Sequence, residues 1–281
     1  MPELPELEVI REMLGPRLTG RRIVDASARH PACMKTFEPA LSTAIGATIT
    51  GLARAGKLLC IATDRDCHIC FHLMRDGSLS LVGSKTHLAR NQLFVLSLDN
   101  DSDLRLTETG TERRAEVYLV TDPGNVRRIA DAGIDPLGDS FTLDWLCRAL
   151  STSSRTLKRF LTDQRVITGI GNAYSDEVLH SARLSPFLLS SRMTDEQSKR
   201  LFRAIPLILL GAIEKLRDLD HLPSRKDRTF LRVHGRLGQA CPACGTAVEY
   251  VSYKDSNTYY CPECQTGGRK LADRRLSRLL K

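Results

Sequence analysis

The sequence predicts an α+β protein of several domains: a β-sandwich with a packed N-terminal helix, then a helical domain that ends in a cysteine-rich ribbon. Three observations support this prediction. One helical repeat precedes seven strand-like runs, helical periodicity takes over after Gly133, and two Cys-X-X-Cys pairs lie near the C-terminus. The chain has 281 residues, 42% of them hydrophobic, which is enough for domains with separate cores.

The N-terminal part begins with a predicted helix. Apolar residues recur at helical spacing from Leu4 to Leu18, Pro5 suits a first helical turn, and Gly20 follows the end. Seven strand-like runs come next, separated by turn residues: 22–28, 47–52, 58–63, 67–73, 79–82, 92–98 and 116–120. One helix followed by short strands predicts a β-sandwich or barrel against which the helix packs.

The second part of the chain is predicted to be helical. Residues 133–140 (GIDPLGDS) are rich in turn formers and predict a linker. Beyond it, Thr142 is placed to cap one helix, and Thr194 with Gln197 forms a capping box for a long one. We therefore expect a sandwich domain over 1–132, a linker over 133–140, a helical domain over 141–230, a ribbon over 231–264 and a basic tail over 265–281.

Four cysteines near the C-terminus have the spacing of a metal site. Cys241 and Cys244 form one pair, Cys261 and Cys264 form the second, and sixteen residues separate the pairs. Each pair closes a tight knuckle, and a hairpin brings both knuckles around one tetrahedral Zn²⁺. Four thiolates leave no open coordination position, so we expect one structural zinc ion.

Another Cys-X-X-Cys spacing, formed by Cys67 and Cys70, has a different interpretation. It lies in a strand-like run, where alternate residues face opposite sides, and it has no second pair. We interpret both as core residues. The chain has nine cysteines in all, and an odd number argues against a complete disulfide framework.

Charge and targeting signals restrict the partner and the compartment. The formal net charge is +8, and residues 221–281 carry 12 lysines and arginines against 5 acidic residues. This surplus favours nucleic acid over a membrane surface, although a basic protein without a polyanionic partner has the same composition. The sequence has neither an apolar run of about 18 residues nor the basic start of a signal peptide. We expect a cytoplasmic monomer without a membrane association.

The opening MPELPELE resembles the start of formamidopyrimidine-DNA glycosylases. Further signatures of the formamidopyrimidine-DNA glycosylase / endonuclease VIII family follow in order over nearly the whole chain. They are Gly56-Lys57, His72-Leu73 near residues 77–79, Lys158, QRVITGIGN at 164–172, VHGR at 233–236 and the cysteine ribbon. The resemblance implies a β-sandwich, a helix–two-turn–helix domain and a zinc ribbon. It also implies a base-excision glycosylase and AP lyase acting on double-stranded DNA with oxidised, ring-opened or missing bases.

The first residues can carry this chemistry. A small residue at position 2 lets methionine aminopeptidase remove Met1, which leaves Pro2 as a free secondary amine. An α-amino group titrates near pH 8, so part of it is nucleophilic at neutral pH. It can attack C1′, displace the base and, as an iminium, permit β- and δ-elimination. Glu3 is placed to transfer protons, and Glu6, one turn further, supports the same site by resemblance.

Several residues are assigned to DNA contacts by the same resemblance. Lys57, which we count with the catalytic residues, is assigned to a phosphate next to the lesion. Lys158 and Asn172 match further phosphate contacts. Gly169 and the residues up to Asn172 form a tight turn that opens a helix, where free backbone N–H groups favour an anion.

Three places depart from the family pattern. Ser256 stands where the ribbon hairpin usually has an arginine, so Lys254 or a cation of the tail is the candidate replacement. The wedge that fills the space left by the flipped base usually joins a methionine to an arginine–phenylalanine pair; here these places hold Arg75 and Arg114-Ala115. The stretch before VHGR is short, which predicts a reduced lesion-capping loop. We therefore expect abasic sites, formamidopyrimidines or ring-saturated pyrimidines to be preferred over 8-oxoguanine paired with cytosine. The opening PELPE favours the alternative, because it resembles the branch of the family that acts on oxidised purines.

Two classes of function remain. One is a bifunctional glycosylase and lyase, and the other is a lesion-binding protein that kept the fold and lost catalysis. Pro2, Glu3 and Lys57 favour the enzyme, because a binding protein has no use for an N-terminal proline amine. A zinc-ribbon nucleic-acid-binding factor does not explain the N-terminus.

Overall fold

A computed structural model of the chain describes residues 1–110, 112–253 and 256–271. These residues form two compact units. Unit 1 comprises Met1–Asp131 and Lys215–Asp227, and unit 2 comprises Ala132–Glu214 and the described residues from Arg228 onward. Within these ranges, no helix is long and apolar enough to cross a membrane.

Unit 1 is a β-sandwich with a helix packed against it, as the sequence predicts. Helix α1 spans Leu4–Leu18, and the short helix α2 spans Arg127–Ala130. The strands are β1 (Ile23–Ala28), β2 (Ile49–Ala55), β3 (Leu58–Thr63), β4 (His68–His72), β5 (Gly77–Gly83), β6 (Gln92–Leu98), β7 (Ser102–Glu108) and β8 (Glu116–Val120). Antiparallel pairing gives one sheet of order β1-β6-β7-β5 and another of order β2-β3-β4-β8.

The core of unit 1 is built from both sheets and α1. The helix packs against β2 and β3, and its apolar positions at helical spacing are all buried: Leu7, Ile10, Leu14 and Leu18. Phe71 of β4 meets Phe94 of β6 edge to face, with ring centroids 5.7 Å apart. Cys67 and Cys70 are buried, which confirms their interpretation as core residues.

One strand of unit 1 was not predicted. Strand β7 contains Asp103 and Arg105, and the Arg105 guanidinium lies 2.8 Å from Asp103 Oδ2 in the buried interior. The same guanidinium donates to the carbonyl oxygens of Thr86 and His87. Charged residues are rarely buried, so Asp103 and Arg105 made this segment look unlike a buried strand in the sequence. The prediction of seven strands was therefore wrong.

Unit 2 begins with helices and ends in a hairpin. Its elements are α3 (Leu143–Ser151), α4 (Leu157–Thr162), α5 (Asn172–Ser181), α6 (Asp195–Arg217), β9 (Glu249–Tyr253), β10 (Ser256–Tyr260) and α7 (Pro262–Thr266). Thr142 Oγ1 accepts the Trp145 N–H at 3.1 Å, and Thr194 and Gln197 exchange capping bonds of 3.0 and 3.3 Å. Both predicted caps are confirmed.

The last residues of α6 and the segment after the helix pack within unit 1. Arg217 forms a bidentate ion pair with Glu12 of α1, with distances of 2.7 and 2.8 Å. Leu222 packs against the sandwich core, and Arg225 lies 2.9 Å from Asp76. These contacts attach Lys215–Asp227 to the sandwich although the segment begins with the end of α6, whose earlier residues belong to unit 2.

Candidate functional site

The first turn of α1 holds the predicted catalytic residues. Pro2, Glu3 and Glu6 are all buried. Glu3 is the N-cap residue, with extended backbone, and its N–H donates to Glu6 Oε2 at 2.7 Å. The Glu6 carboxylate therefore holds the backbone directly after Pro2, because it satisfies one of the amides that a helix start leaves unpaired.

Lys57 lies in the turn that joins β2 to β3. Gly56, immediately before it, has φ of +59°, a conformation that other residues adopt only at a cost. The glycine thus allows the tight turn that places Lys57 at the start of β3. Lys57 is half-buried.

A buried histidine lies near both Lys57 and the amino terminus. His72 of β4 pairs across the sheet with Glu116 of β8. The pKa of His72 is lowered to about 4, first by burial and then by the positive charges of Arg128, Lys57 and the amino terminus, against the opposing effect of Glu116. The structure therefore brings Lys57 and the amino terminus close enough to act on one imidazole. In the sequence, His72 is distinguished only as part of a family signature.

Glu116 organises the polar groups beside His72. It forms a bidentate pair with Arg128 at 2.7 and 3.0 Å and accepts the Tyr118 hydroxyl at 2.8 Å. Burial raises the pKa of Glu116, but Arg128 and Tyr118 lower it more, so the carboxylate is the favoured form. Burial and the Glu116 charge raise the pKa of Tyr118 to about 12, which keeps the phenol protonated.

The two predicted wedge arginines lie on neighbouring loops of unit 1. Arg75 is exposed in the turn after β4, and the next residue, Asp76, accepts the Thr109 N–H on its carbonyl oxygen at 3.2 Å. Arg114 lies in the segment that joins β7 to β8 and is exposed beside Glu112. The buried Glu108 carboxylate accepts the backbone N–H groups of residues 114 and 115 at 2.8 and 3.1 Å. One edge of the sandwich therefore carries both guanidinium groups.

In unit 2, Lys158 is buried rather than exposed. Its Nζ lies 2.5 Å from Asp176 Oδ1 and 2.6 Å from the carbonyl oxygen of Asn172. The Lys158 ammonium thus binds two groups of α5 from the interior of unit 2, the carbonyl oxygen of its first residue and the carboxylate of Asp176. The sequence assigned Lys158 to a phosphate, but in this structure its charge is directed at the protein.

Two adjacent carboxylates of α5 organise the VHGR segment and β10. Asp176 Oδ2 accepts His234 Nδ1 at 2.7 Å and the Tyr259 N–H at 3.2 Å. Glu177 accepts the three backbone N–H groups of residues 232–234 at 2.8 to 2.9 Å. Burial raises the pKa of Glu177 although these bonds oppose the shift. Neither residue was predicted from the sequence, because an acidic pair in a helix that also carries asparagine, serine and histidine is typical of a solvent-exposed face.

The predicted anion-binding turn is built around Gly169, which has φ of +86°. Gln164 bridges the turn, because its Oε1 accepts the Gly169 N–H at 3.0 Å and its Nε2 donates to the Ile170 carbonyl at 2.7 Å. Asn172 then begins α5, and its Nδ2 donates to the Asn257 carbonyl oxygen of β10 at 2.9 Å. The structure therefore connects the turn to the ribbon hairpin.

The four ribbon cysteines form one cluster, with all Sγ atoms within 4.8 Å of one another. Cys241 and Cys264 are 3.9 Å apart, and Cys244 and Cys261 are 3.4 Å apart. A tetrahedral ion with Zn–S bonds of about 2.3 Å separates its sulfurs by about 3.8 Å. Hydrogen bonds from Thr246 lower the pKa of Cys244 to about 6, whereas burial raises the pKa of Cys261 to about 11. The geometry and the donor set fit one zinc ion.

Some predicted DNA contacts lie outside the described residues. Lys254 is one of them, and residues 272–281 of the basic tail are the others. For Ser256, which stands in the place of the usual arginine, only the backbone pairing with Tyr253 is described.

Comparison with known proteins assigns the chain to a family. The sequence profile of the formamidopyrimidine-DNA glycosylase N-terminal domain matches residues 1–114, and that of the H2TH domain of the same enzymes matches residues 132–219. A formamidopyrimidine-DNA glycosylase of Thermus thermophilus is 33% identical over 277 residues, which covers 95% of this chain and 100% of the relative. The chain belongs to the formamidopyrimidine-DNA glycosylase / endonuclease VIII family.

Two solved complexes extend the likeness to the fold. A point mutant of the Lactococcus lactis FPG in complex with DNA that contains Fapy-dG is 27% identical, with a TM-score of 0.86 and coverage of 94% of this chain and 100% of that one. The same enzyme in complex with DNA that contains an abasic site is 26% identical, with a TM-score of 0.85 and coverage of 94% and 99%.

Proposed function

We propose that this DNA glycosylase removes oxidised or ring-opened bases from double-stranded DNA and then cleaves the strand as an AP lyase. The observation that supports this most directly is the buried first turn of α1, where Pro2 is followed by Glu3 and Glu6. The Lactococcus relative was solved with DNA containing Fapy-dG and with DNA containing an abasic site, which supports the same kind of partner here.

In the proposed reaction, removal of Met1 frees the Pro2 nitrogen. Its lone pair attacks C1′, the N-glycosidic bond breaks with its electrons leaving on the base, and the proton of the Pro2 nitrogen passes to the departing base. Glu3 protonates the sugar ring oxygen as the C1′–O4′ bond opens, which gives an iminium between Pro2 and C1′. The iminium acidifies the C2′ proton; its loss expels the 3′ phosphate, and a second elimination expels the 5′ phosphate.

We assign the DNA contacts to residues of both units. Lys57 binds the phosphate next to the lesion, because it is a half-buried cation near the amino terminus. Asn172, at the start of α5 directly after the Gly169 turn, contacts a second phosphate at the N-terminus of the helix. Lys158 supports that turn through Asp176, and Lys254 remains the proposed replacement for the missing hairpin arginine. One structural zinc ion on the four cysteines completes the ribbon.

The exposed Arg75 and Arg114 form the proposed wedge that fills the space left by the flipped nucleotide. Ala115, in the place of the usual phenylalanine, is buried and too small to intercalate. A guanidinium can stack on a base and hydrogen-bond to the orphaned partner. We therefore propose a preference for poorly stacked lesions over 8-oxoguanine paired with cytosine, which single-turnover rates on matched duplexes test.

Borohydride trapping tests the proposed nucleophile. With abasic DNA, borohydride should reduce the iminium and leave a covalent adduct on the N-terminal peptide. Pro2→Gly should weaken trapping, and a protein that retains Met1 should give none. Undiminished trapping with a blocked N-terminus would point to a lysine instead.

Glu3→Gln is the variant that tests the proposed proton transfer while keeping the size of the side chain. It should lose base excision far more than DNA affinity, because it removes proton transfer and keeps the helix cap. If Glu3→Gln excises within a fewfold of the wild-type rate, the role of Glu3 is wrong. A wild-type protein that binds lesions without excision or trapping would support the lesion-binding alternative.

A further inference from the structure

A histidine contacts the four-cysteine cluster from the outside. His180 lies in the last turn of α5, and its Nε2 is 3.2 Å from Cys241 Sγ. Both side chains are buried, with 4% and 2% of their surface exposed. We propose that His180 is an outer-sphere residue of the zinc site and donates a hydrogen bond to the Cys241 thiolate. This inference rests on the zinc binding proposed above.

The chemistry of the sulfur sets the direction of this hydrogen bond. A zinc-bound thiolate has no proton, so it can only accept. Nε2 of His180 must therefore carry the proton, and Nδ1 is the unprotonated nitrogen. Nδ1 is buried and has no hydrogen-bond partner among the described residues. The contact with Cys241 is thus the polar contact that orients the ring.

The surroundings of the cluster explain why a donor is needed there. A zinc ion with four thiolates has a net negative charge, and Cys241 and Cys261 are packed with Val233 and Val248 in a small apolar core. A buried negative charge is stabilised by N–H donors that point at it. Loss of an outer-sphere partner of a metal site lowers metal affinity about 10–100-fold.

His180 also connects the metal to the proposed DNA-binding helix. Asn172, Asp176 and His180 are spaced four residues apart, so they lie on one face of α5. They contact Asn257, Tyr259 and Cys241 of the ribbon, respectively. The metal site is therefore attached to the helix that begins at the anion-binding turn.

Metal competition on the full chain tests the proposal. His180→Phe keeps a ring and removes the donor, whereas His180→Gln keeps an N–H near the position of Nε2. His180→Phe should bind zinc about 10–100-fold more weakly against a chromophoric chelator, and it should shift the thiolate-to-metal charge-transfer band of the cobalt-substituted protein. His180→Gln should restore most of both. His72→Phe, which replaces a buried histidine of unit 1, should change neither.

The tautomer of His180 gives a test that needs no variant. In ¹⁵N-labelled zinc-loaded protein, His180 should carry its proton on Nε2. A proton on Nδ1, or wild-type zinc affinity and an unshifted band in His180→Phe, would overturn the proposal while the zinc site stands. Metal analysis that finds no zinc in the wild-type protein would instead overturn the zinc proposal, and this one with it.

Discussion

The buried Asp176 carboxylate binds partners from three different segments of unit 2. Its two oxygens accept Lys158, His234 and the Tyr259 N–H, which come from α4, the VHGR segment and β10. A buried carboxylate is stable only with such partners, and a buried ammonium depends on it equally. The proposed DNA surface of unit 2 therefore depends on one side chain that does not face the DNA phosphates itself.

Asp176→Asn should destabilise unit 2 strongly. The substitution keeps the volume but leaves the Lys158 ammonium buried without a counter-charge, and breaking a buried pair in this way costs about 3–5 kcal/mol. The chain has one tryptophan, Trp145 of α3, so tryptophan fluorescence in urea reports the unfolding of unit 2. Adding Lys158→Met should recover part of the loss. An unchanged unfolding midpoint in Asp176→Asn would contradict the assigned role.

His72 should make unit 1 less stable in acid. Its folded pKa is about 4 and its ordinary value is 6.5, so below pH 6.5 the unfolded chain binds a proton that the folded chain does not. Stability therefore falls as the pH drops from about 6.5 to about 4. His72→Gln should lose less stability over this window, measured by urea unfolding followed by circular dichroism at several pH values. Equal losses in both proteins would show that His72 does not titrate in this way.

At the scale of the element, α5 is an unusual helix because its residues from Ala173 to His180 are all buried although several are polar. Its position is therefore specified by hydrogen bonds as well as by packing. The turn before it requires Gly169 in a left-handed conformation, and the helix can begin at Asn172 only if this turn closes. The proposed phosphate site is thus a property of the turn and the helix together.

A pair of glycine substitutions tests this dependence on the turn. Gly169→Ala should cost roughly 1–2 kcal/mol, because an L-residue is strained at positive φ, and it should weaken DNA binding. Gly211→Ala in α6 should stabilise by about 0.5–1 kcal/mol, because an added Cβ meets no atom within 4 Å and alanine favours a helix. Urea unfolding followed by Trp145 fluorescence measures the change in unfolding free energy of both variants. Similar effects at the two positions would rule out a special role for the Gly169 turn.

At the scale of the whole molecule, each unit carries part of the proposed chemistry. Unit 1 holds the N-terminal turn, Lys57 and the arginine wedge, whereas unit 2 holds the Gly169 turn and the cysteine cluster. The formal net charge of +8 favours association with a polyanion. Affinity that comes from phosphate contacts depends steeply on salt, because binding releases counterions.

Salt titration of DNA binding measures these contacts. The logarithm of the association constant should fall linearly with the logarithm of the salt concentration. Lys57→Gln should reduce this slope by about 1, because one phosphate contact is lost. Lys199→Gln, which removes an exposed lysine of α6 outside the proposed site, should leave the slope unchanged. A wild-type affinity independent of salt would exclude recognition through the backbone.

The features that could be predicted from the order of residues are local in the chain. The helix Leu4–Leu18, the caps at Thr142 and Thr194, and the two cysteine knuckles each depend on residues within a few positions of one another. Their geometry follows from helical periodicity and short-range hydrogen bonding, which are written directly in the order of residues. The family signatures add the expected fold, because the same local patterns recur in the same order.

The partners of the buried polar groups could not be predicted in this way, because they depend on how distant segments pack together. His180 and Cys241 are 61 positions apart, and Asp176 meets His234 across 58. No local sequence pattern shows whether Lys158 is a buried ion-pair partner or an exposed cation. For the same reason, the buried charges of β7 prevented its prediction as a strand. The physical reason is that the free energy of a buried charge depends on which groups packing brings within hydrogen-bond distance, and those groups come from distant parts of the chain.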